Sequence, residues 1–192
     1  MKVQLKDVRI TFPNIFEAKA VNGQGDPKFS ASFLFPKDHP QKPEFERALV
    51  AAAKEKWGDA KYGDVLKALK AADKLAMHDG DAKSDYEGYA GNYFVNASNK
   101  VRPLIIGPDR APLVASDGKP YSGAYVNCIL EVWAQDNQYG KRVNASLLGV
   151  QFVRDGERLS GGGVAAADDF EALPGADAAK VAEKGTGAAG LF

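Results

Sequence analysis

Two runs of alternating side chains constrain this 192-residue chain more than any other feature. From Ala124 to Gln135, Val126, Cys128, Leu130 and Val132 alternate with Tyr125, Asn127, Ile129, Glu131 and Trp133. From Lys141 to Arg154, Val143, Ala145 and Leu147 alternate with Arg142, Asn144 and Ser146. Successive side chains of a strand point to opposite faces, so each run predicts a strand with one buried face. Asp136-Asn137-Gln138-Tyr139-Gly140 between them is turn material. A long hairpin of this kind needs further strands to cover its apolar face.

The rest of the chain supplies them. Lys28 to Phe35 predicts a strand with Phe29, Ala31, Phe33 and Phe35 on the apolar face and Lys28, Ser30 and Ser32 on the polar one. Val3 to Phe12 predicts another, in two phases. Val3 and Leu5 share one phase, and Val8, Ile10 and Phe12 the other, which a bulge near Lys6-Asp7 reconciles. Pro13-Asn14 is expected to end it, and Asn22 to Pro27 to form a turn. Tyr93–Ser98 and Arg102–Ile106 predict two shorter strands. Between Phe35 and Tyr93, Pro40 and Pro43 introduce a helix whose stripe is Phe45, Ala48, Leu49 and Ala52, with Glu44 and Glu46 near its positive end. A second helix after Gly63-Asp64 places Val65, Leu69, Ala72 and Ala76 on one face. The expected architecture is mainly β with a helical insertion over about 42–77, an α+β chain built as a small antiparallel barrel or sandwich.

Gly161-Gly162-Gly163 marks a change of character. Residues 164–192 hold five acids (Asp168, Asp169, Glu171, Asp177, Glu183) and two bases (Lys180, Lys184), a net −3. The whole chain is neutral, so residues 1–163 carry +3. The apolar groups of 164–192 (Phe170, Leu173, Val181, Leu191, Phe192) are too few to offset the entropy of ordering them. A folded domain over 1–163 and a disordered acidic tail over 164–192 are therefore expected. The tail reads either as a solvated terminus or as an acidic interaction segment with an apolar tip.

Composition excludes several function classes. Neutral net charge argues against a polybasic protein that grips phosphate over its whole surface. One cysteine, Cys128, and two histidines, His39 and His78, leave little material for a disulfide or a zinc site. The lone thiol suits the cytoplasm. No run has signal-peptide or membrane-spanning character, so no membrane partner is expected. There is no Gly-rich phosphate loop before a helix, no HExxH and no GxSxG, so neither an enzyme nor a cofactor is predicted. Cys128 falls on the apolar phase of its strand and reads as a core thiol. His78 reads as a surface residue. Asp79, Asp81 and Asp85 do not have the spacing of a calcium loop, and no metal is predicted.

Aromatic density beside basic residues is the positive signal. Tyr86, Tyr89, Tyr93 and Phe94 lie between Lys83 and Arg102, interleaved with Asn92, Asn96, Ser98 and Asn99. Three bases and no acid follow the hairpin turn. Unpaired nucleic acid is held by this combination, with cations along the phosphates and flat rings under the bases. Lys28, Lys83, Lys100, Arg102, Lys141 and Arg142 are the phosphate candidates. Tyr86, Tyr89, Tyr93, Tyr125 and Trp133 are the stacking candidates, of which some must be core, and Phe94 has an ambiguous phase.

The same segments resemble a phage family of single-stranded DNA-binding proteins. VRITFPNIFEA, KFSASFLFPKDHP, DGDAKSDYEGYAGNYFVNASNKVRP and PYSGAYVNCILEVWAQDNQYGKRVNASLLGVQFVRDGERLSGG carry the resemblance in order, followed by AADDFEAL. It runs from Val3 to about Leu173, and GNYFVNA and VQFVRDGERL are its most specific strings. It implies an OB-fold barrel with helical elaborations, similar in plan to the single-stranded DNA-binding proteins of T-odd phages. It implies coating of single-stranded DNA in replication, recombination and repair. It also implies an acidic C-terminus that recruits replication or recombination proteins and competes with DNA. Asp168, Asp169, Phe170 and Phe192 match that pattern in kind, while Lys180 and Lys184 dilute it. Two other readings stay open: a phage adaptor or scaffold protein acting through its tail, and a metal-dependent nuclease using Asp79, Asp81 or Asp85. A homodimer is compatible with each reading, and the sequence does not set the oligomeric state.

Overall fold

In the computed structural model, which describes residues 1–21 and 24–159, seven strands form one curled sheet and two helices pack against it. The strands are β1 (Lys2–Val21), β2 (Gln24–Pro36), β3 (Met77–Asp79), β4 (Asn92–Asn99), β5 (Leu104–Ile106), β6 (Tyr125–Asn137) and β7 (Gly140–Arg154). Their order is β3-β4-β2-β1-β6-β7-β5. Every ladder is antiparallel except that of β5, which runs parallel to β7. β4 curls round to lie against β7. There the side chain of Asn99 donates to the carbonyl of Leu147 at 3.1 Å. The residues just before β3 join the two strands: the amide of Val143 donates to Lys74, and that of Asn96 donates to Ala76. The expected mainly β architecture with a helical insertion is the observed one.

The hairpin β6–β7 forms as its alternation predicts. Val126, Cys128, Leu130, Val132, Val143, Ala145 and Leu147 are all buried. The turn closes at Asn137 opposite Gly140, whose φ of 91° only glycine adopts cheaply. β1 carries the expected bulge. Its register against β6 shifts between Leu5 and Val8, with Asp7 left-handed at φ 53°. The extra residue restores the phase, so Val3, Leu5, Val8 and Ile10 all reach the core.

β1 then departs from expectation. It does not end at Pro13-Asn14 but continues to Val21, with its register against β2 shifting between Thr11 and Asn14. Phe12 has φ 49°, a conformation that costs a non-glycine residue roughly 1–2 kcal/mol. This second irregularity turns Phe12 out to 42% exposure and buries Thr11 in its place. β2 begins at Gln24, so Gln24 to Pro27, expected as turn, are strand, and Phe29, expected in the core, is half-buried.

α1 (Lys42–Trp57) carries Pro43 in its first turn and buries Phe45, Ala48, Leu49, Ala52 and Ala53 against the β6 side of the barrel. α2 (Tyr62–Ala71) buries Leu69 and leaves Ala72 exposed. The helical insertion therefore ends before residue 77, and Met77 already belongs to β3. A Schellman-type closure stops α2: the amide of Lys74 donates to Leu69, and that of Asp73 to Lys70. Asp73 takes the left-handed position at φ 53°, where a glycine would have marked the stop in the sequence.

The connection 80–91 is clamped to the barrel. Gly80 packs so closely that a Cβ there would lie 2.1 Å from the carbonyl oxygen of Tyr89. Lys37 of β2's exit loop bridges Asp79 and Asp81, at 3.0 and 2.5 Å. Phe45, with no exposed surface, anchors α1 in the main core. Phe45→Ala is expected to lower unfolding free energy by about 3–5 kcal/mol, measured by urea denaturation, because the barrel cannot collapse into the void.

Candidate nucleic-acid interface

One groove of about 680 Å³ runs along the barrel, lined by β2, β4, β6, β7, the chain before β3, and Phe12 of β1. Its floor is polar without charge. Ser30 and Ser32 come from β2, Asn96 and Ser98 from β4, Gln135 from β6, and Asn144 and Ser146 from β7. These are the outward phases of strands whose other phase fills the core. Ser32 and Asn96 face each other across the β2–β4 ladder, and the Ser32 hydroxyl donates to the Asn96 carbonyl at 2.6 Å.

Four cations line the groove: Lys28, Lys74, Lys100 and Arg142. Among the described residues, no carboxylate lines it. Lys28, Lys74 and Arg142 make no ion pair among the described residues. Lys100 meets Asp26 at 2.5 Å, and this hydrogen bond holds the Asp26 carboxyl below the usual carboxylate range. Both side chains are largely exposed, so the pair is weak and easily exchanged.

Trp133 is the groove's large flat surface, at 42% exposure. Its indole N–H donates to Ser146 Oγ at 2.9 Å across the β6–β7 ladder. That bond fixes the ring on the sheet. The Asn144 side chain, directly opposite Trp133, donates to Gln135 at 3.3 Å. His78 closes one wall. Its ring stacks on Phe94 at 4.9 Å, and its Nδ1 lies 2.5 Å from Asp73. The expectation of a plain surface histidine is thus corrected: the side chain is largely buried, because the Asp73 reversal and Phe94 enclose it.

The groove gathers Lys28, Lys100, Arg142 and Trp133 from the sequence-predicted set. Tyr86, 45% exposed, stands beside it with its ring edge-on to Phe12 at 5.8 Å. Others are placed elsewhere. Tyr89 is 3% exposed, so its ring is core and not a free stacking face. It packs with Leu34 and Phe94, and its hydroxyl meets Thr11 Oγ1 at 3.0 Å. The phase of Phe94 is settled by the same cluster: it is buried, with Lys83 over its ring. Tyr93 sits half-buried between Lys37 and Lys42, near α1. Tyr125 carries Arg154 at 3.4 Å and Arg9 at 5.7 Å from its ring centre, in a separate hollow. Arg102 lies over Phe16, and Lys141 between Asp136 and Trp57. Asp168, Asp169, Phe170 and Phe192 lie outside the described residues.

Phe12, Lys74 and His78 were missed. Phe12 follows an apolar alternation and looks buried until the bulge is known. Lys74 and His78 flank a helix stop that has no glycine. Two of the acids considered for a metal, Asp79 and Asp81, serve another purpose. The Asp81 amide donates to Asp79, and the Gly91 amide donates to Asp81. These bonds and Lys37 hold both carboxyls below their usual range. Among the described residues, no group of three or more His, Cys, Asp and Glu side chains is placed to hold a metal ion. Cys128 is buried, and burial pushes its thiol well up. A thiol reagent such as DTNB is expected to leave Cys128 unmodified in native protein and to react fully in denaturant.

The chain and its fold have counterparts among phage proteins. Protein p50 of Acyrthosiphon pisum secondary endosymbiont phage 1 is 44% identical over 175 residues, covering 90% of this chain and 94% of that protein. The single-stranded DNA-binding protein from bacteriophage Enc34, solved in complex with ssDNA, superposes with a TM-score of 0.70 at 24% identity, over 83% of this chain and 89% of that one. The single-stranded DNA-binding protein gp2.5 of bacteriophage T7 shares the fold at a TM-score of 0.55 and 10% identity, over 88% of this chain and 92% of that one. The family described as the Enterobacter phage Enc34 ssDNA-binding protein matches residues 1–181, and the chain belongs to that family.

Proposed function

We propose that this protein binds single-stranded DNA without strong sequence preference and without catalysis, coating exposed strands during phage replication, recombination and repair in the host cytoplasm. The observation that carries this reading is the groove itself: among the described residues it is lined by four cations, no carboxylate, and a tryptophan whose indole is hydrogen-bonded to Ser146. Lys28, Lys100 and Arg142, with Lys74, contact phosphates. Trp133 stacks on a base. The serines and amides reach sugar and phosphate oxygens, which are the same in every nucleotide, and this accounts for tolerance of sequence. Lys83, Arg102 and Lys141, with Tyr86, Tyr93 and Tyr125, lie off this groove and serve any longer path of the strand. Family membership supports the same substrate.

The domain boundary near 163 and the acidic tail belong to the proposal. The tail recruits replication or recombination proteins and competes with DNA for the cations, and a second copy of the chain is compatible with both roles.

Titration of oligo-dT against tryptophan emission and by gel shift, at several salt concentrations, tests the reading. Binding is expected to weaken with salt, and Arg142→Ala to make the log–log slope shallower by about 0.7, the loss of one neutralised phosphate on a single strand. Trp133→Ala is expected to weaken binding between about 5-fold and 150-fold, the worth of one stacked base. Salt-independent binding, or a preference for duplex, overturns it. A chain stopped after Gly163 is expected to bind oligo-dT more tightly, because the −3 of the tail is removed. Equal or weaker affinity overturns the competition.

A further inference from the structure

Phe12 is the residue whose placement the fold's own stability does not explain. The strand alternation that buries Val8 and Ile10 would bury Phe12 as well. Instead the register of β1 against β2 slips after Thr11, and Phe12 takes a left-handed backbone at φ 49°. Bulky L-residues avoid that region, and no glycine or asparagine stands there to make it easy. The result is doubly unfavourable for folding alone. A phenylalanine is exposed, and a threonine is buried that must find a partner, which it does in the Tyr89 hydroxyl. Strained backbone of this kind persists where the surroundings over-determine it, and it gathers at binding sites.

The surroundings of Phe12 fit that account. Phe12 lines the groove beside Ser30 and Ser32. The Tyr86 ring stands nearly perpendicular to it, at 83° between ring planes and 5.8 Å between centroids, and steadies it. Tyr86 is carried by the 80–91 connection, which Lys37, Gly80 and Tyr89 clamp to the barrel. Phe12 keeps 42% of its surface exposed beside this neighbour. We propose that Phe12 is a second base-stacking residue of the groove, separate from Trp133, with Tyr86 as its positioning residue. The inference rests on the single-stranded DNA reading of the groove. It makes the bulge after Thr11 a binding device, since without it Phe12 would face the core.

The test uses the full-length chain and a fluorescently labelled oligo-dT, with anisotropy read over a salt series and thermal unfolding read in parallel. Phe12→Gly removes the ring and relaxes the backbone. It is expected to weaken binding between about 5-fold and 150-fold. The salt slope should stay that of the wild type, because no phosphate contact is lost. The unfolding midpoint should hold or rise, because the strain is gone. Phe12→Asn, which also tolerates left-handed backbone, should show the same loss, and Phe12→Trp should retain binding. Tyr86→Ala should show a smaller loss that Tyr86→Phe restores. Wild-type affinity in Phe12→Gly, or a loss that comes with a lowered midpoint and is not recovered by Phe12→Trp, overturns the proposal. If wild-type protein binds and Arg142→Ala weakens it while Phe12→Gly does not, only the role of Phe12 fails. If the wild type does not bind oligo-dT, both readings fail.

Discussion

The barrel depends on β1 keeping apolar side chains on one core while it pairs with β2 on one flank and β6 on the other. A regular strand of 20 residues cannot do this and also bend round a small barrel. Its inward phase would drift off the core as the sheet curls. Register shifts interrupt the strand, and the one at Asp7 keeps its first half on the core. At Asp7 the extra residue resets the phase, and its exposed amide and carboxylate are met by Asn127 and Arg154. At Thr11–Phe12 the second slip changes which neighbour is inside. Everything placed on β2, β4, β6 and β7 follows from the register these two positions set.

The groove is the outer consequence of that register. Strands with an apolar phase inward present the other phase to solvent, and here that phase is serine, asparagine, glutamine and one tryptophan. Lys74 and His78 come to the same wall because α2 stops in a Schellman turn at Asp73, which also engages the His78 ring. The acids of this neighbourhood are occupied: Asp79 and Asp81 by Lys37, Asp73 by His78, and Asp26 by Lys100 at the rim. An exposed ion pair is worth only about 0–1 kcal/mol. Lys100 can therefore leave Asp26 for a polyanion at little cost. Overall neutrality is no obstacle to an anion site, since the local field near the groove is set by its own four cations and screening cuts off distant charge within about 10 Å.

Much of the site was legible because period-two patterns need no long-range information. Arg142, Asn144 and Ser146 fall on the opposite phase from Val143, Ala145 and Leu147, and Trp133 opposite Val132, so their exposure follows from the alternation itself. Phe94 and Tyr89 were not legible, because they flank a tight connection whose packing partners, Leu34 and Thr11, lie far away in the chain. Phe12 misled for the converse reason. Its spacing from Ile10 is that of a core residue, and only pairing with β2 reveals the slip.

The amino-acid sequence by itself determined most of the strands, though not β3 or the second half of β1, together with the long hairpin, the Asp7 bulge, the helical insertion and the change of composition after Gly163, because propensity, alternation and turn chemistry act over a few residues. It also placed the family, through strings carried in order along the chain. Only the tertiary structure decided which aromatic rings face solvent, which cations share one groove, and which acids are kept away from it. Those outcomes depend on how β4 meets β7 and how β1 slips against β2. Both are contacts between residues distant in sequence, whose register is selected by the packing of the whole core.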